Sequence, residues 1–185
     1  MNNTMKTTTR WILDPIHSDI RFHVKYLMIS TISGTFDSFT ASMESPAHSF
    51  NDAQIRFSAK TNSVNTRLPV RDRHLRSEDF LHAESFPEIS FSSTDFRALG
   101  EDGEFGIEGE LTLRGTTQSV YLLANKGGMA IDRQGRKRVG FDLNGSISRS
   151  QFGVSGSTVI EGGSVLIGDD IHLDMSVQLM ESVDE

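Results

Sequence analysis

The sequence predicts an all-β fold, namely an antiparallel, closed barrel of about eight strands, a number typical of small barrels. Apolar and polar residues alternate in one segment after another, with turn residues between the segments, and this pattern is typical of antiparallel sheets. Few helical segments are left to cover a second apolar face, so the apolar faces of the strands have to cover one another. Closing the sheet on itself achieves this and also removes the edge strands.

The chain length predicts one domain. Its 185 residues are enough to bury a substantial core without metals or disulfides. We assign the barrel to residues 11–181, with short tails at 1–10 and 182–185.

The first three segments with period-two alternation lie before the middle of the chain. In "SDIRFHVKY", Ile20, Phe22 and Val24 share one face, while charged residues and a histidine take the other. "GTFDSFTASM" and "DAQIRFSAK" follow, and the second of these has Ile55 and Phe57 in phase. Each segment therefore predicts a strand with one apolar face.

A charged stretch, "RDRHLRSEDFLHAESFPEISF", interrupts the alternation before the next strand. Ser77 is a suitable N-cap, and Glu78 and Asp79 would lie in the first turn, where acidic residues favour the helix dipole. We therefore expect a short helix over "SEDFLHAE", followed by a strand after Pro87. The whole connection, around residues 67–86, predicts a helical flap across one side or end of the barrel.

Four arginines crowd into this flap, and they are Arg67, Arg71, Arg73 and Arg76. One interpretation is that they form ion pairs with Asp72, Glu78 and Asp79 and anchor the flap. The other is that Arg67 and Arg71 contact an anionic or polar head group, since the arginine fork suits phosphate oxygens. His74 and His17 are further candidates for that contact.

The alternation resumes after the flap. "EISFSSTDF" and "EFGIEGELTLRG" carry Phe91 and Ile107 on their apolar faces. "SVYLLA" follows, and then a hairpin whose tip is "DRQGRK" and whose return strand carries Phe141. "DIHLDMSVQL" ends the domain with a strict alternation that includes Leu173.

An eight-stranded barrel either fills its interior with side chains or leaves room for one small ligand. The residues expected to face inward and line such a space come from strands on both sides of the flap. They are Ile20, Phe22, Val24, Phe36, Ile55, Phe57, Phe91, Ile107, Phe141 and Leu173.

Composition argues against several classes of function. The formal net charge of -7 gives no general attraction for nucleic acids or anionic membranes. No segment reaches the eighteen or so continuous apolar residues that a membrane helix needs, so we expect no stable membrane insertion. No signal-peptide pattern precedes "WILDP", so we expect a cytoplasmic protein, or a periplasmic one if a signal peptide has been removed.

Patterns for metal binding and catalysis are weak. One continuous helix would bring His74, Glu78 and His82 together, but a helix that starts at Ser77 breaks that register. There is no cysteine, no HExxH pair and no G-x-S-x-G segment. We therefore expect no metal and no cofactor.

Two blocks, "WILDPIHSDIRFHVKYLMISTISGTF" and "RDRHLRSEDFLHAESFPEISF", resemble the YceI-like proteins. The matching residues of the first block, after the initial tryptophan, are Asp14, His17, Ser18, Gly34 and Phe36. Those of the second are Arg71, Asp72, His74, Leu75, Ser77, Asp79, Phe80, Phe86, Pro87, Ile89 and Phe91. "GELTLRGTTQSV" and "ISRSQFGVSG" are similar to later segments of that family, so the resemblance runs from about Trp11 to Leu179.

The resemblance implies a lipocalin-like antiparallel barrel that holds a long isoprenoid or other lipid chain, usually as a homodimer and with no established catalytic reaction. We therefore expect non-catalytic binding, transport or sequestration of such a lipid. Two alternatives stay open. One is an enzyme that uses His17 or His74 at the barrel mouth, and the other is a barrel with a filled core that acts through its surface.

Overall fold

The structure, a computed structural model, describes residues 8–47, 49–100, 103–156 and 166–182. Within these ranges the strands are β1 Thr8–Leu13, β2 Asp19–Tyr26, β3 Ser30–Phe36, β4 Phe39–Pro46, β5 Gln54–Lys60, β6 Val64–Asn65, β7 Glu88–Ala98, β8 Glu104–Leu113, β9 Thr116–Ile131, β10 Lys137–Ser148 and β11 Ile167–Glu181. The one α-helix there, α1, is Pro69–Arg76, and the 3-10 helices are Pro15–His17, Thr61–Ser63 and Arg149–Phe152. None of these helices has the length and apolar composition needed to cross a membrane.

The strands form one closed antiparallel sheet. The hydrogen-bonded order is β1-β4-β5-β7-β8-β9-β10-β11, and β11 pairs with β1 to close the ring. Three further strands continue the ring at one end. Strand β2 follows β1 after a short break and also pairs with β11. Strands β3 and β6 lie in line with β4 and β5, and β3 pairs with both β2 and β6. The described segments therefore make a closed barrel of 8 strands, which confirms the predicted fold class.

The strand register gathers the apolar positions on one face of the sheet. In the pairing of β10 with β11, Phe141 lies opposite Val177 and Leu143 lies opposite Met175. Residues that lie directly opposite each other point to the same face, so both apolar sets face the barrel interior. The alternate residues, such as Asp142, face outward.

Aromatic side chains fill one end of the barrel. Phe50, from the connection between β4 and β5, packs edge-on against Phe141 with 5.3 Å between the ring centroids. Phe96 lies 5.1 Å from Phe105, and Trp11 lies 5.7 Å from Phe50. We call these five residues the aromatic floor, because they close the end at which β8 and β10 begin.

The flap contains a helix, as predicted, but the helix lies earlier than expected. Helix α1 ends at Arg76, and Ser77, the expected N-cap, instead lies at its C-terminus with its hydroxyl donating to the His74 carbonyl oxygen at 2.7 Å. The expectation of a helix over "SEDFLHAE" is therefore wrong, since that segment forms turns. The physical reason is Pro69, whose fixed φ suits the first helical position and whose missing N–H is not needed there.

Two contacts attach the flap to the barrel end opposite the aromatic floor. Arg114, in the turn between β8 and β9, donates from Nη1 to the Phe80 carbonyl oxygen at 2.6 Å. Gly156, after β10, approaches so closely that a Cβ there would lie 2.6 Å from the Asp79 carbonyl oxygen. The floor and the flap therefore lie at opposite ends of the barrel.

Candidate functional site

A cavity of about 450 Å³ lies inside the barrel between the aromatic floor and the flap. Its wall consists mainly of Leu, Ile, Val, Phe and Met side chains. All ten residues predicted to line the interior lie on this wall, and they are Ile20, Phe22, Val24, Phe36, Ile55, Phe57, Phe91, Ile107, Phe141 and Leu173. Their contact with a ligand stays a prediction.

Several inward-facing side chains in the middle of the barrel are only half-buried. Leu143, Leu173 and Val177 belong to the apolar face of β10 and β11, yet each keeps intermediate exposure. All three border the cavity. By contrast, Ile107 is only 1% exposed and Phe96, in the floor, only 2%. The interior is therefore filled at the floor and hollow above it.

The polar part of the cavity wall lies at the flap end. Apart from Ser42, the wall residues with polar side chains in the described ranges are Tyr26, Arg71, His74 and Arg149. Tyr26 ends β2, two of the others lie on α1, and Arg149 begins the 3-10 helix after β10. A ligand in this cavity would meet an apolar surface along most of its length and polar groups at one end.

The flap arginines do not make the expected ion pairs. Arg71 donates from Nε to the Thr66 hydroxyl at 2.7 Å and from Nη2 to the Thr66 carbonyl oxygen at 2.9 Å. Arg76 donates from Nη2 to the Val64 carbonyl oxygen at 2.9 Å. Asp72, an expected partner, instead accepts from the Thr66 amide at 2.8 Å and from its hydroxyl at 2.5 Å.

The expected pairing of these arginines with acidic flap residues is therefore wrong, since none of the ion pairs in the described part of the chain includes Arg67, Arg71, Arg73 or Arg76. The arginines that have hydrogen bonds anchor α1 to the backbone around β6. The acidic residue Asp79 lies beside a histidine instead, with its Oδ2 3.1 Å from His74 Nε2.

The four head-group candidates separate into two pairs. Arg71 and His74 lie on the cavity wall. His17 and Arg67 do not line the cavity. His17 lies beside Asp14 in the short helix between β1 and β2, and Arg67 lies in the loop before α1. The positions of His17 and Arg67 therefore do not support the head-group contact expected for them.

His17 belongs to an ionic network on the outer wall. Its Nδ1 lies 2.9 Å from Asp14 Oδ2, and Arg138 donates from Nη1 to the same oxygen at 2.6 Å. Arg138 also donates from Nε to Asp132 Oδ2 at 3.1 Å. The network therefore ties the break between β1 and β2 to the turn between β9 and β10.

Both carboxyl groups of this network have a pKa below the usual range of aspartate. Burial by itself would raise the pKa of Asp14, but the hydrogen bonds with His17 and Arg138 outweigh it and hold the pKa at about 2. Partial burial acts in the same direction on Asp132, where hydrogen bonds with the Arg136 amide and the Arg138 side chain again hold the pKa at about 2. Both groups are ionised at neutral pH, which is what an anchor between two segments requires.

Sequence reasoning missed Arg149 as a wall residue. Its side chain is only 6% exposed, although it stands among serines and a glutamine in "SISRSQFG", a context typical of an exposed turn. Only the match of "ISRSQFGVSG" to a family segment drew attention to this region. In the described ranges no group of three or more His, Asp or Glu side chains is arranged to hold a metal ion.

Comparison with known proteins agrees with this architecture. The model of the YceI-like domain matches residues 11–179. A UPF0312 protein of Staphylococcus aureus is 28% identical over 171 residues, which cover 92% of this chain and 96% of that protein.

Solved structures show the same fold. The crystal structure of the Campylobacter jejuni YceI protein has a TM-score of 0.71 at 28% identity and covers 86% of this chain and 90% of that one. A polyisoprenoid binding domain from Saccharophagus degradans has a TM-score of 0.65 at 16% identity and covers 93% of this chain and 98% of that one. The chain belongs to the YceI-like domain family.

Proposed function

We propose that the protein binds a long-chain amphiphilic lipid, such as a polyisoprenoid, inside the barrel and carries or sequesters it without catalysing a reaction. The observation that carries this proposal is the hollow interior, whose described wall is apolar except for Ser42 and the polar groups at the flap end. The Saccharophagus degradans domain is described as polyisoprenoid-binding, which supports this choice of ligand class.

The size of the cavity favours a long chain. A space of about 450 Å³ holds about fifteen groups of the size of a water molecule, at roughly 30 Å³ each, and a methylene group is of similar size. Burying about fifteen methylenes at about 0.8 kcal/mol each is favourable by about 12 kcal/mol. Association costs roughly 4 to 15 kcal/mol, so tight binding requires a chain that fills most of the cavity.

The wall chemistry sets the orientation of the ligand. A hydrocarbon tail gains most against the apolar wall and the aromatic floor, whereas a polar head would lose hydrogen bonds there. The flap end provides Tyr26, Arg71, His74 and Arg149 as polar partners. We therefore infer that the tail points toward the floor and the head lies near α1.

The two alternatives have less support. Of the two histidines considered for an enzyme, only His74 lies on the cavity wall, and its Nε2 is already 3.1 Å from Asp79 Oδ2. The second alternative, a barrel that acts through its surface, predicts an interior filled by side chains, whereas this barrel contains a cavity of about 450 Å³.

Organic extraction and mass spectrometry of the purified protein test the proposal. We expect a stoichiometric long-chain lipid, and a rise in melting temperature when prenyl lipids are added to delipidated protein. An unrelated protein, purified in parallel from the same cells, is the control for contaminating lipid. Absence of both the co-purified lipid and the thermal shift would refute the proposal.

The homodimer and the cytoplasmic location stay predictions. Light scattering at several protein concentrations tests the first, and cell fractionation with an antibody against the native protein tests the second. The lipid-binding proposal depends on neither.

A further inference from the structure

We propose that Arg149 forms an anion site at the flap end of the cavity, so that the protein selects amphiphiles with a carboxylate or phosphate head over neutral lipids with the same tail. This inference rests on the proposed function, because it concerns the head of the lipid whose tail fills the cavity.

Arg149 is a buried cation on the cavity wall. It begins the 3-10 helix that follows β10 and is 6% exposed. Two apolar residues of the same segment, Phe152 and Val154, are 1% and 5% exposed. A guanidinium in such a place has lost most of its contact with water, so it interacts more strongly with any charge that reaches it.

The hydrogen bonds of Arg149 go to neutral groups. Nε donates to the Gly168 carbonyl oxygen at 2.8 Å, Nη1 to that of Val154 at 2.8 Å and Nη2 to that of Ile167 at 3.2 Å. A guanidinium has five N–H groups, so one on Nη1 and one on Nη2 have no partner among the described residues. These two groups are able to donate to a carboxylate or phosphate, the anions that guanidinium groups bind well.

One acidic group, Asp169, acts on Arg149 without forming an ion pair with it. Asp169 influences Arg149 electrostatically, but no ion pair within 4.0 Å joins them in the described part of the chain. The carboxylate of Asp169 instead accepts from the Ser148 and Ser150 hydroxyls and from the Ser150 amide at 3.1 Å. Burial lowers the pKa of Arg149, and the charge of Asp169 acts in the opposite direction.

The rest of the described cavity wall also carries positive charge without negative charge. Arg71 is a second wall cation, and its side-chain hydrogen bonds to described residues go to Thr66 oxygens. None of the described wall residues is an aspartate or glutamate, although the whole chain has a formal charge of -7. An anionic head therefore gains a charge–charge attraction at this end of the cavity, whereas an alcohol or amide head accepts hydrogen bonds from the same arginines without it.

Matched ligand pairs test the inference on delipidated protein. We would compare palmitate with palmityl alcohol, and geranylgeranyl phosphate with geranylgeraniol, by competition against a fluorescent probe bound in the cavity. We expect the anionic member of each pair to bind about tenfold more tightly or better, as hydrogen bonds to a charged group would give. Equal affinities within both pairs would overturn the inference, while failure of all four lipids to bind would refute the proposed function itself.

Variants then test whether Arg149 causes the preference for anionic lipids. Arg149→Met keeps the length of the side chain but removes the charge, so the preference for the anion should fall to near unity while the neutral lipid still binds. Arg149→Lys should keep part of the preference, and Arg133→Met, at an exposed turn, should keep all of it. Full preference retained in Arg149→Met would overturn the assignment, and if that variant does not fold, the comparison of Arg149→Lys with wild type decides.

Inorganic phosphate distinguishes a head-group site from a site for free anions. We expect phosphate alone to leave the melting temperature unchanged at concentrations at which geranylgeranyl phosphate raises it, because the tail contributes most of the binding free energy. An equal shift with phosphate alone would overturn the head-group assignment.

Discussion

A phenyl ring placed inside the cavity should exclude long lipid chains without unfolding the barrel. Ala41 is suited to this change because it borders the cavity, lies opposite Phe57 in the pairing of β4 with β5, and is only half-buried. The substitution Ala41→Phe adds a ring whose volume the existing hollow can accept. The strand pairing itself is not altered.

The expected magnitude follows from the space that the ring occupies. It displaces about six methylene-sized groups of ligand, which at about 0.8 kcal/mol each is about 5 kcal/mol of lost burial. That corresponds to an upper limit of about three-thousandfold in affinity, and if rearrangement of the tail recovers half of the lost free energy, the loss is still about fiftyfold. A ligand with a short tail, such as octanoate, leaves room for the ring and should lose much less.

Competition binding of palmitate and octanoate to wild type and Ala41→Phe measures this effect. Ala98→Phe, on an exposed position at the end of β7, is the matched control and should bind both as wild type does. Circular dichroism shows whether each variant is folded. A folded Ala41→Phe protein that binds palmitate with wild-type affinity would refute the argument, because the chain would then lie outside this cavity.

Three further predictions concern stability. Phe57→Asp should unfold or empty the barrel, because an unpaired buried carboxylate costs several kcal/mol, and retained folding with full lipid content on extraction would contradict this. Thr61→Val should raise the free energy of unfolding in urea by about 1 kcal/mol, since the buried Thr61 hydroxyl has no hydrogen-bond partner in the described part of the chain, and a loss of stability would mean that the hydroxyl is bonded. The pKa values of Asp14 and Asp132 are about 2 in the folded protein and about 4 in the unfolded chain. We therefore predict that their contribution to the free energy of unfolding is fully present above pH ~4 and is lost as the pH falls toward ~2. Asp14→Asn should flatten part of that decline, and an unchanged urea-unfolding profile against pH would contradict the linkage.

The position of the helix shows how local signals compete. Ser77 followed by two acidic residues is a reasonable start for a helix, and so is Pro69 at a first helical position. Contacts outside the helix support the earlier start, since Asp72 accepts hydrogen bonds from Thr66, and Arg76 reaches the Val64 carbonyl oxygen. These contacts join α1 to β6, and no pattern within the flap indicates them.

The arginines of the flap illustrate a related limit. Their acidic neighbours in sequence suggested ion pairs, whereas two of them, Arg71 and Arg76, bind oxygens of β6 and of the loop after it. Charges close in sequence identify possible partners but not the carbonyl groups that folding brings within reach. The same holds for His17, whose partner Arg138 lies far along the chain.

The sequence by itself indicated most of the long strands and which face of each is apolar, because the period-two alternation is a property of neighbouring residues and needs no knowledge of the fold. It also carried enough of the family's segments to indicate the barrel. Only the tertiary structure decided that the interior is filled at Phe96 and hollow at Leu173, and that Arg149 lies on the cavity wall. Those features depend on how far apart opposite walls are held by closure of the sheet, a distance that no single strand encodes.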